Sequence, residues 1–236
     1  MNEIALISDI HGNLPALEAV EADIKSRGIS SVYCLGDMCG RGPNGRDAIA
    51  WCRQNCEVVI LGNWDEHVML GRAGEYSNEV AEEQKNYLKT LAFTHKLWIS
   101  GRRIHFLHGR PMCKDIIWDF SSEEEMLRLF SVVEDEYAPD IVAYADIHRQ
   151  FKKDFKDDTR ILFNIGSVGC SYCTPTACYA ILRGILNSRE KAPVSIEFVS
   201  VPYDNQKAVE NMLKADWFYA REAYTKEVTL GKWQKY

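Results

Sequence analysis

The sequence has no excess of basic charge and no long apolar run. Its 236 residues include 28 Lys and Arg against 34 Asp and Glu, a net charge of −6. Because nucleic-acid surfaces usually need a basic face, we expect no broad nucleic-acid surface. No apolar run approaches the roughly 18 residues of a membrane span, and Met1–Ile7 lacks the basic stretch that begins a signal peptide. We therefore expect a cytoplasmic protein that does not contact a membrane.

Cysteine is present, but not in the pattern of a disulfide framework. The eight cysteines come without a secretion signal, so we expect reduced thiols. Cys170, Cys173 and Cys178 form the one tight group, and they lack the fourth ligand of a structural zinc site. We expect inert or packed thiols there, with zinc as the alternative. No Ser or Cys stands in a nucleophile elbow or a His-paired motif.

Short apolar runs that end on a polar residue recur along the chain, and helical patterns lie between them. With 46% hydrophobic and 26% charged residues, the composition is that of an ordinary folded protein. Alternating strands and helices indicate an α/β layered fold, a sheet sandwich flanked by helices. We expect a single domain over 1–236, with a helical cap or insertion at 64–95 and a C-terminal helical part at 204–236. The predicted strands are 4–7, 32–35, 58–61, 104–107, 141–145, 160–164, 178–183 and 194–201, and the predicted helices are 14–25, 43–53, 77–91, one that begins near 121, 204–214 and 215–224.

Polar side chains with metal-binding chemistry follow five successive predicted strands. In open α/β sheets, functional residues gather where strands end at their carboxyl edge. Carboxylate, amide and imidazole ligands without sulfur suit Mn, Fe, Zn or Co. Any one of these residues could simply begin a loop, but a metal site explains the whole set better. The residues are Asp9, Asp37, Asn63, His108 and Asp146, with His11 and His148 two positions after the first and the last.

Around these residues the sequence resembles the calcineurin-like metallophosphoesterases, in particular their small bacterial and archaeal phosphodiesterase-like branch. The likeness runs from residue 4 to about residue 204, and its blocks follow one another in the family's order. The blocks are Ser8–Asn13, Gly36–Gly42, Gly62–Asp65, His108–Gly109 and Ala145–His148, followed by Asn164–Gly169 and Val201–Asp204.

The resemblance implies a four-layered αββα fold, with a small helical insertion, that carries two metal ions per chain. The implied ions are Mn²⁺ and/or Fe³⁺, with Zn²⁺, Ni²⁺ or Co²⁺ as alternatives. Matched by position, the metal ligands are Asp9, His11 and His148 for the first ion, Asp37 for both ions, and Asn63, His108 and Asp146 for the second. The residues implied in catalysis are Asp37, Arg41, Asn63 and His108.

The activity that the resemblance implies is hydrolysis of phosphodiester or phosphoanhydride bonds in small nucleotide-type substrates, by a hydroxide that bridges the metals. Two cations about 3.5–4 Å apart can clamp a phosphoryl group and generate that hydroxide. The alternatives are a dinucleoside polyphosphate hydrolase, a protein or monoester phosphatase and, outside enzymes, a metal-binding scaffold with a degraded site. A homo-oligomer is compatible with each of these.

Three positions depart from the family pattern. Asp146 stands where histidine is usual, which gives the site three carboxylates. The net charge of the two metals and their ligands is then +1 instead of +2. A lower net charge should raise the pKa of the bridging water and favour harder ions. Alternatively, the short Asp146 side chain reaches its metal only through water. Trp64 replaces the histidine that protonates the leaving group, with His67 as a candidate substitute, and Ile165 replaces a proline.

The expected substrate contacts are Arg41, Asn13 and Trp64. A guanidinium pairs bidentately with phosphate oxygens, so Arg41 is the candidate clamp outside the metals; the alternative is a surface arginine in a Gly-rich turn. Aromatic side chains can stack a nucleobase, or they can belong to the core. The stacking candidates are Trp64, Trp118, Phe120 and Tyr172.

Overall fold

The computed structural model describes residues 1–156, 159–215 and 220–233, and these ranges contain ten strands and eight helices. In chain order they are β1 (Asn2–Ile7), α1 (Leu14–Ser26), β2 (Ser31–Cys34), α2 (Gly45–Asn55), β3 (Val58–Val59), α3 (Asn63–Met69), α4 (Glu75–Glu79), α5 (Glu82–Leu88), β4 (Thr94–Ile99), β5 (Arg102–Leu107), α6 (Glu123–Arg128), β6 (Ile141–Tyr144), β7 (Gln150–Asp154), β8 (Ile161–Ile165), β9 (Ala177–Gly184), β10 (Ser195–Val201), α7 (Asn205–Lys214) and α8 (Arg221–Leu230). Within the described ranges, no helix combines the length and the apolar character needed to cross a membrane.

The strands form two five-stranded mixed sheets. The first has the order β10-β9-β1-β2-β3; β1, β2 and β3 are parallel, β9 is antiparallel to β1, and β10 is antiparallel to β9. The second has the order β4-β5-β6-β8-β7, with β5, β6 and β8 parallel and the edge strands β4 and β7 antiparallel to their neighbours. Each sheet therefore has parallel strands whose carboxyl ends lie at one edge.

The two sheets pack face to face, and helices cover their outer faces. Ile4 and Leu6 of β1 belong to the apolar core between the sheets, whereas Ala5 and Ile7 belong to the core under the helices. Both faces of β1 are buried over residues 4–7, which explains the continuous apolar sequence there. A third cluster, which contains Met126 of α6, covers the outer face of the second sheet. This arrangement is the αββα sandwich, and the predicted fold is confirmed.

Two of the predicted helices have different boundaries in the structure. The predicted helix 77–91 is divided into α4 and α5, because the backbone of Val80 is extended and Gln84 Oε1 accepts a hydrogen bond from the N–H of Ala81, which begins a new helix. The second helix, predicted at 215–224, begins at Arg221 and ends at Leu230 as α8. Residues 216–219 of that prediction lie outside the described residues.

The sequence pattern does not predict β4 and β7. Both are edge strands of the second sheet, and most of their side chains are half-buried or exposed. Polar residues such as Lys96 and Lys152 therefore interrupt the apolar runs that identify the central strands.

Candidate active site

The candidate ligands come from both sheets and are all buried. Polar groups that are buried need partners, so their convergence requires a physical reason. Those of the first sheet are Asp9 and His11 after β1, Asp37 after β2 and Asn63 at the start of α3; those of the second are His108 after β5, with Asp146 and His148 after β6.

Most of these residues have a left-handed backbone. Among the described residues, eight other than glycine have a positive φ, and six of them belong to this site: Asp9, His11, Asp37, Arg41, Asp146 and His148. Such a conformation costs about 1–3 kcal/mol per residue and clusters at functional sites. The loops after β2 and β3 also approach closely, since a Cβ on Gly62 would lie 2.2 Å from Asp37 Oδ1. Glycine is required there.

Two groups of side chains have the spacing of metal ligands, and they share Asp9. In the first group, Asp9, His11 and His148, the Nε2 of His148 lies 3.1 Å from Asp9 Oδ1 and 3.2 Å from His11 Nε2. In the second group, Asp9, Asp37 and His108, the Nε2 of His108 lies 3.3 Å from Asp37 Oδ2. Asp37 Oδ2 is also 3.7 Å from His11 Nε2, so it lies within reach of both groups. Among the described residues, no cysteine joins such a group.

The three histidines present the same nitrogen to the centre. A carbonyl oxygen can only accept a hydrogen bond, so an imidazole Nδ1 beside one carries a proton, and in the neutral ring Nε2 then keeps its lone pair. This backbone support is usual behind ligand histidines. The Nδ1 atoms of His11, His108 and His148 lie 3.2, 2.6 and 2.7 Å from the carbonyl oxygens of Cys39, Leu35 and Cys170.

The charge states also suit a cation. Burial raises the pKa of Asp9, but His148 and His108 lower it more, so this carboxyl pKa is below its usual range. Burial lowers the pKa of His11, and His148 lowers it further, which keeps the imidazole neutral. Burial also lowers the pKa of His108, yet Asp37 and Asp9 raise it more, and the net shift is upward. The carboxylates thus favour positive charge at the centre.

The hydrogen bonding of the buried atoms at the centre is incomplete. Asp9 Oδ1, Asn63 Oδ1 and His108 Nε2 have no well-aligned hydrogen bond among the described residues. Leaving such an atom unsatisfied costs about 1–3 kcal/mol. Carboxylate, amide and imidazole donors together fit divalent metal ions. The residues present therefore fit the metals that the sequence resemblance implies.

Asp146 makes a two-point ion pair with Arg110. Arg110 Nη2 donates to Asp146 Oδ1 at 2.6 Å and Nε donates to Oδ2 at 2.9 Å, while Asp146 Oδ1 is 4.0 Å from His108 Nε2. The expected sum of +1 for metals and ligands omits this guanidinium, and the Asp146–Arg110 pair is neutral as a whole. This correction removes the argument for a raised water pKa and for harder ions.

Arg41 lies beside the first ligand group and is anchored by helix α8. Its Nη1 donates to both carboxylate oxygens of Glu227, at 2.8 and 3.0 Å. Glu227 is buried and Arg41 is partly buried, with side-chain exposures of 0% and 11%. The Arg41 guanidinium carbon also lies 6.0 Å from the ring centre of Trp64 and 5.9 Å from that of Tyr172. Arg41 is therefore fixed beside the candidate site by its ion pair with Glu227 and is not a surface arginine.

Asn13 is placed differently from the prediction. It is fully buried, its Oδ1 accepts from the N–H of Ala16 at the start of α1, and its Nδ2 donates to the Gly169 carbonyl at 2.8 Å. These structural contacts use both ends of its amide, so Asn13 is not available to a substrate in this structure.

Trp64 stands between the first ligand group and a cavity of about 480 Å³. Its ring lies edge-on to His11 at 6.2 Å and to Tyr76 at 5.6 Å. Trp64, Tyr76 and the candidate acid His67 all line the cavity. Of the remaining stacking candidates, Tyr172 contacts a candidate ligand, because its ring stacks on His148 with 4.5 Å between the ring centres. Trp118 and Phe120 stack on each other, with 5.7 Å between their ring centres.

Sequence reasoning leaves out three residues that organise the site: Asp65, Arg110 and Glu227. Asp65 had a signal, because it ends the Gly62–Asp65 block; it accepts hydrogen bonds from the N–H groups of Met38 and Gly62 and so ties the loops after β2 and β3. Arg110 follows the His108–Gly109 block, but its partner is 36 positions away. Glu227 carries no sequence signal.

A sandwich of two sheets with a buried Asp and His centre at its strand ends defines a metallophosphoesterase. The chain belongs to the calcineurin-like phosphoesterase superfamily, whose domain matches residues 2–184, and the protein is a phosphoric ester hydrolase. It is 30% identical over 251 residues to the uncharacterized protein MJ0912 of Methanocaldococcus jannaschii, across 89% of this chain and 92% of that relative. The family resemblance is confirmed.

The chain is similar to solved structures over nearly its whole length. A metallophosphoesterase from Sphaerobacter thermophilus has a TM-score of 0.74 and 21% identity, over 97% of this chain and 99% of that one. The hypothetical protein PH1004 from Pyrococcus horikoshii OT3 has a TM-score of 0.71 and 20% identity, over 97% and 98% of the two chains. At these identities the likeness concerns the fold.

Proposed function

We propose that the protein hydrolyses phosphodiester or phosphoanhydride bonds of small nucleotide-type substrates, with two metal ions per chain. The observation that carries this proposal is the pair of buried ligand groups that share Asp9, with Asp37 Oδ2 near both His11 and His108. Two adjacent groups of this kind suit phosphoryl transfer to water. A structural metal would need only one closed group of four ligands.

The chain's own contribution is to orient the ligands. The N–H of Trp64 donates to Asp37 Oδ1 at 2.8 Å, which leaves Oδ2 for the centre. When bound, two divalent ions would polarise a water molecule and neutralise charge on the phosphoryl oxygens. One ion would be held by Asp9, His11 and His148, and the other by Asn63, His108 and Asp37, with Asp37 placed to contact both.

Water, and no protein side chain, is the nucleophile in this proposal. The thiols in the ligand loops are Cys39 and Cys170, whose carbonyl oxygens support His11 and His148. Burial is the main cause that raises the pKa of both thiols well above the usual value. A protonated thiol is a poor nucleophile, so both cysteines are unsuited to covalent catalysis.

The leaving group decides which esters such a site can cleave. Trp64 stands where a proton donor would serve the leaving group, and its indole does not release a proton near neutral pH. A general acid typically contributes about 10²–10⁴ in rate. Substrates whose leaving group is stable as an anion, such as an aryl oxide or a phosphate, therefore lose least at this site.

The cavity beyond Trp64 supports a substrate with an aromatic portion. A volume of about 480 Å³ lies within the range of small-ligand sites, and aromatic walls can stack a nucleobase. Trp64 and Tyr76 supply such walls, and Arg41 stands beside the same tryptophan to contact a phosphoryl oxygen. These features favour a nucleotide-type substrate over a phosphoprotein.

The test compares substrates with the Mn²⁺-loaded protein. We expect faster hydrolysis of bis(p-nitrophenyl) phosphate, 2′,3′-cyclic nucleotides and diadenosine polyphosphates than of glycerol phosphate. The first releases an aryl oxide, the second opens a strained ring and the third releases a phosphate, whereas glycerol phosphate must release an unstrained alkoxide. Faster hydrolysis of glycerol phosphate would contradict the proposal. A protein that binds two Mn²⁺ ions and cleaves none of the panel would be the metal-binding scaffold.

Asp37→Asn tests the centre itself. Since Asp37 serves both metal positions, this variant should lose metal content and turnover together. The control is Arg27→Gln, because Arg27 directly follows α1, pairs with Asp23 and Glu197, and should keep both properties when it is replaced. Near-normal activity of Asp37→Asn with two ions still bound would show that the assigned site is wrong.

A further inference from the structure

The Arg110–Asp146 pair occupies the position where the family pattern expects a single histidine ligand. Asp146 is almost fully buried, with 4% of its side chain exposed, whereas the Arg110 side chain is 36% exposed. Arg110 Nε also lies 3.2 Å from Asp146 Oδ1, and the Arg110 backbone N–H approaches Oδ2 at 3.4 Å. One carboxylate is thus surrounded by one arginine.

This contact leaves Asp146 poorly placed as a metal ligand. Both of its oxygens accept charge-assisted hydrogen bonds from the guanidinium, which are among the stronger hydrogen bonds in proteins. Asp146 belongs to neither of the two groups whose ligand atoms lie within 4.8 Å of one another. To bind a metal directly, Asp146 would have to give up at least part of its pairing with Arg110.

Arg110, in contrast, has donors to spare. A guanidinium carries five N–H donors, and the pairing with Asp146 uses the Nε donor and one Nη2 donor. About three N–H donors are therefore left on a side chain that reaches solvent at the edge of the centre.

We propose that Arg110 binds a phosphoryl oxygen of the substrate and that Asp146 is the positioning residue that holds Arg110, in place of a direct metal ligand. The pair, which is neutral as a whole, replaces one neutral ligand of the second metal with a guanidinium that is held at the edge of the centre. This inference rests on the proposed function, since it assigns a residue to the phosphoryl group of that reaction. Arg41 lies near the first ligand group and Arg110 lies near His108 of the second, so each group then has one guanidinium beside it to contact phosphoryl oxygens.

The first test measures binding of inorganic phosphate to the Mn²⁺-loaded protein by titration calorimetry, which does not depend on turnover. Arg110→Gln should weaken phosphate binding about 10- to 100-fold, the loss expected for hydrogen bonds to a charged group. The phosphate affinity of Arg110→Lys should fall between those of the wild type and Arg110→Gln, because lysine keeps the charge but loses the planar pair of donors of the guanidinium. The matched control is Arg27→Gln, whose wild-type side chain is 34% exposed and also paired with carboxylates; its phosphate affinity should not change.

The second test counts Mn²⁺ ions per chain by elemental analysis and titration. Asp146→Asn should keep both ions and weaken phosphate binding, because Arg110 loses its anchor. Asp146→His should bind the second ion more tightly while phosphate binding weakens, since a ligand is gained and the anchor is lost. In kinetics, Arg110→Gln should raise KM for bis(p-nitrophenyl) phosphate more than it lowers kcat.

Two results would overturn the inference. Loss of one Mn²⁺ ion per chain in Asp146→Asn would make Asp146 a metal ligand. Unchanged phosphate affinity in Arg110→Gln, with or without a lower Tm, would leave Arg110 a structural role alone. These results are separable from the proposed function: weaker phosphate binding by Arg110→Gln supports the inference even if no ester is cleaved.

Discussion

Trp64 is the residue whose chemistry most restricts the proposed reaction. Its ring lies edge-on to the candidate ligand His11 and lines the neighbouring cavity. Indole can donate a hydrogen bond, but it does not transfer its proton to a departing alkoxide. The rate of hydrolysis then depends on how stable the leaving group is as an anion, which a series of related esters can measure.

Trp64→His should restore a proton donor and reduce that dependence. Across aryl phosphodiesters of graded leaving-group pKa, we expect a steep loss of kcat/KM for the wild type and a flatter one for Trp64→His, with the poorest leaving groups gaining about 10²-fold. Trp98→His is the control, because Trp98 lies on edge strand β4 against Tyr137 and should keep the steep slope. A flat wild-type series, with chemistry rate-limiting, would indicate another acid, and His67 on the same cavity would be examined first.

At the same scale, the ligand positions could be predicted from the sequence and their partners could not. Each candidate ligand follows a strand, and a local pattern of apolar run and polar ending is enough to find it. Arg110 and Glu227 act through contacts that span 36 and 186 positions, which no local pattern encodes. The predicted charge of the site does not include the first of these long-range contacts, the Arg110 guanidinium beside Asp146.

Among the elements, helix α8 has the least expected connection to the site. It lies beyond residue 184, where the family match ends, and packs Tyr224 and Val228 into the core under the first sheet. Its Glu227 is buried and neutralises Arg41. A buried ion pair is costly to break on one side, because the remaining charge stays in a poor solvent.

Glu227→Gln should therefore destabilise the fold and disturb Arg41. Glutamine keeps the shape but not the charge, and we expect a loss of about 1–3 kcal/mol in the free energy of unfolding. KM for an aryl phosphodiester should rise as well. Glu222→Gln, an exposed position on the same helix paired with Lys226, should change neither quantity. Unfolding curves in urea and steady-state kinetics check both; unchanged stability of Glu227→Gln would show that the ion pair contributes little.

Helix α4 carries a carboxyl whose charge opposes folding. Burial raises the pKa of Glu79 to about 7, although the N–H of Arg46 donates a hydrogen bond to Glu79 Oε1 that lowers this pKa in part. An acid with a raised pKa in the folded state stabilises the protein fully below its unfolded pKa, and that contribution is lost as pH rises through the folded pKa. The window here runs from about 4.5 to about 7.

Glu79→Gln should remove this loss. We expect the variant to be more stable than the wild type at pH 8 by about 1–3 kcal/mol, with the difference shrinking toward pH 5. Glu75→Gln, on the exposed side of the same helix, should show no such dependence. Urea unfolding at several pH values provides the measurement, and a difference that grows toward low pH would reverse the assigned sign.

What the sequence reveals about elements depends on burial. Strand segments with two buried faces, such as residues 4–7 of β1 and the whole of β6, are apolar and are predicted. The edge strands β4 and β7 alternate with polar residues and were missed. The division between α4 and α5 was also missed, because the capping contact of Gln84 interrupts a helix without interrupting its apolar periodicity.

At the scale of the whole molecule, the candidate centre joins the two sheets. Asp9, His11 and Asp37 come from loops of the first sheet, and His108 and His148 come from loops of the second. Ions held between them would bind the folded protein and not the unfolded chain, in which these residues are far apart. Metal binding should therefore stabilise the entire fold and not only order a local loop.

Removal of metal should consequently lower the melting temperature, and addition of Mn²⁺ should restore it. At a hundredfold excess of Mn²⁺ over its Kd the stabilisation is about 2.7 kcal/mol, and a chain of this size shifts by about 2–4 °C per kcal/mol, so we expect an increase of about 5–10 °C. His11→Gln and His108→Gln, one from each sheet, should lose most of this increase because each removes a ligand. His95→Gln is the control, since His95 of strand β4 packs on Tyr33 and Phe106 and is not a candidate ligand. This variant should keep the full increase in melting temperature, whatever the stability of its metal-free form. A melting temperature that stays the same when the metal content falls to zero would show that metal binding does not stabilise the contact between the sheets. Equal losses in all three variants would show that histidine replacement in general, and not loss of a ligand, causes the effect.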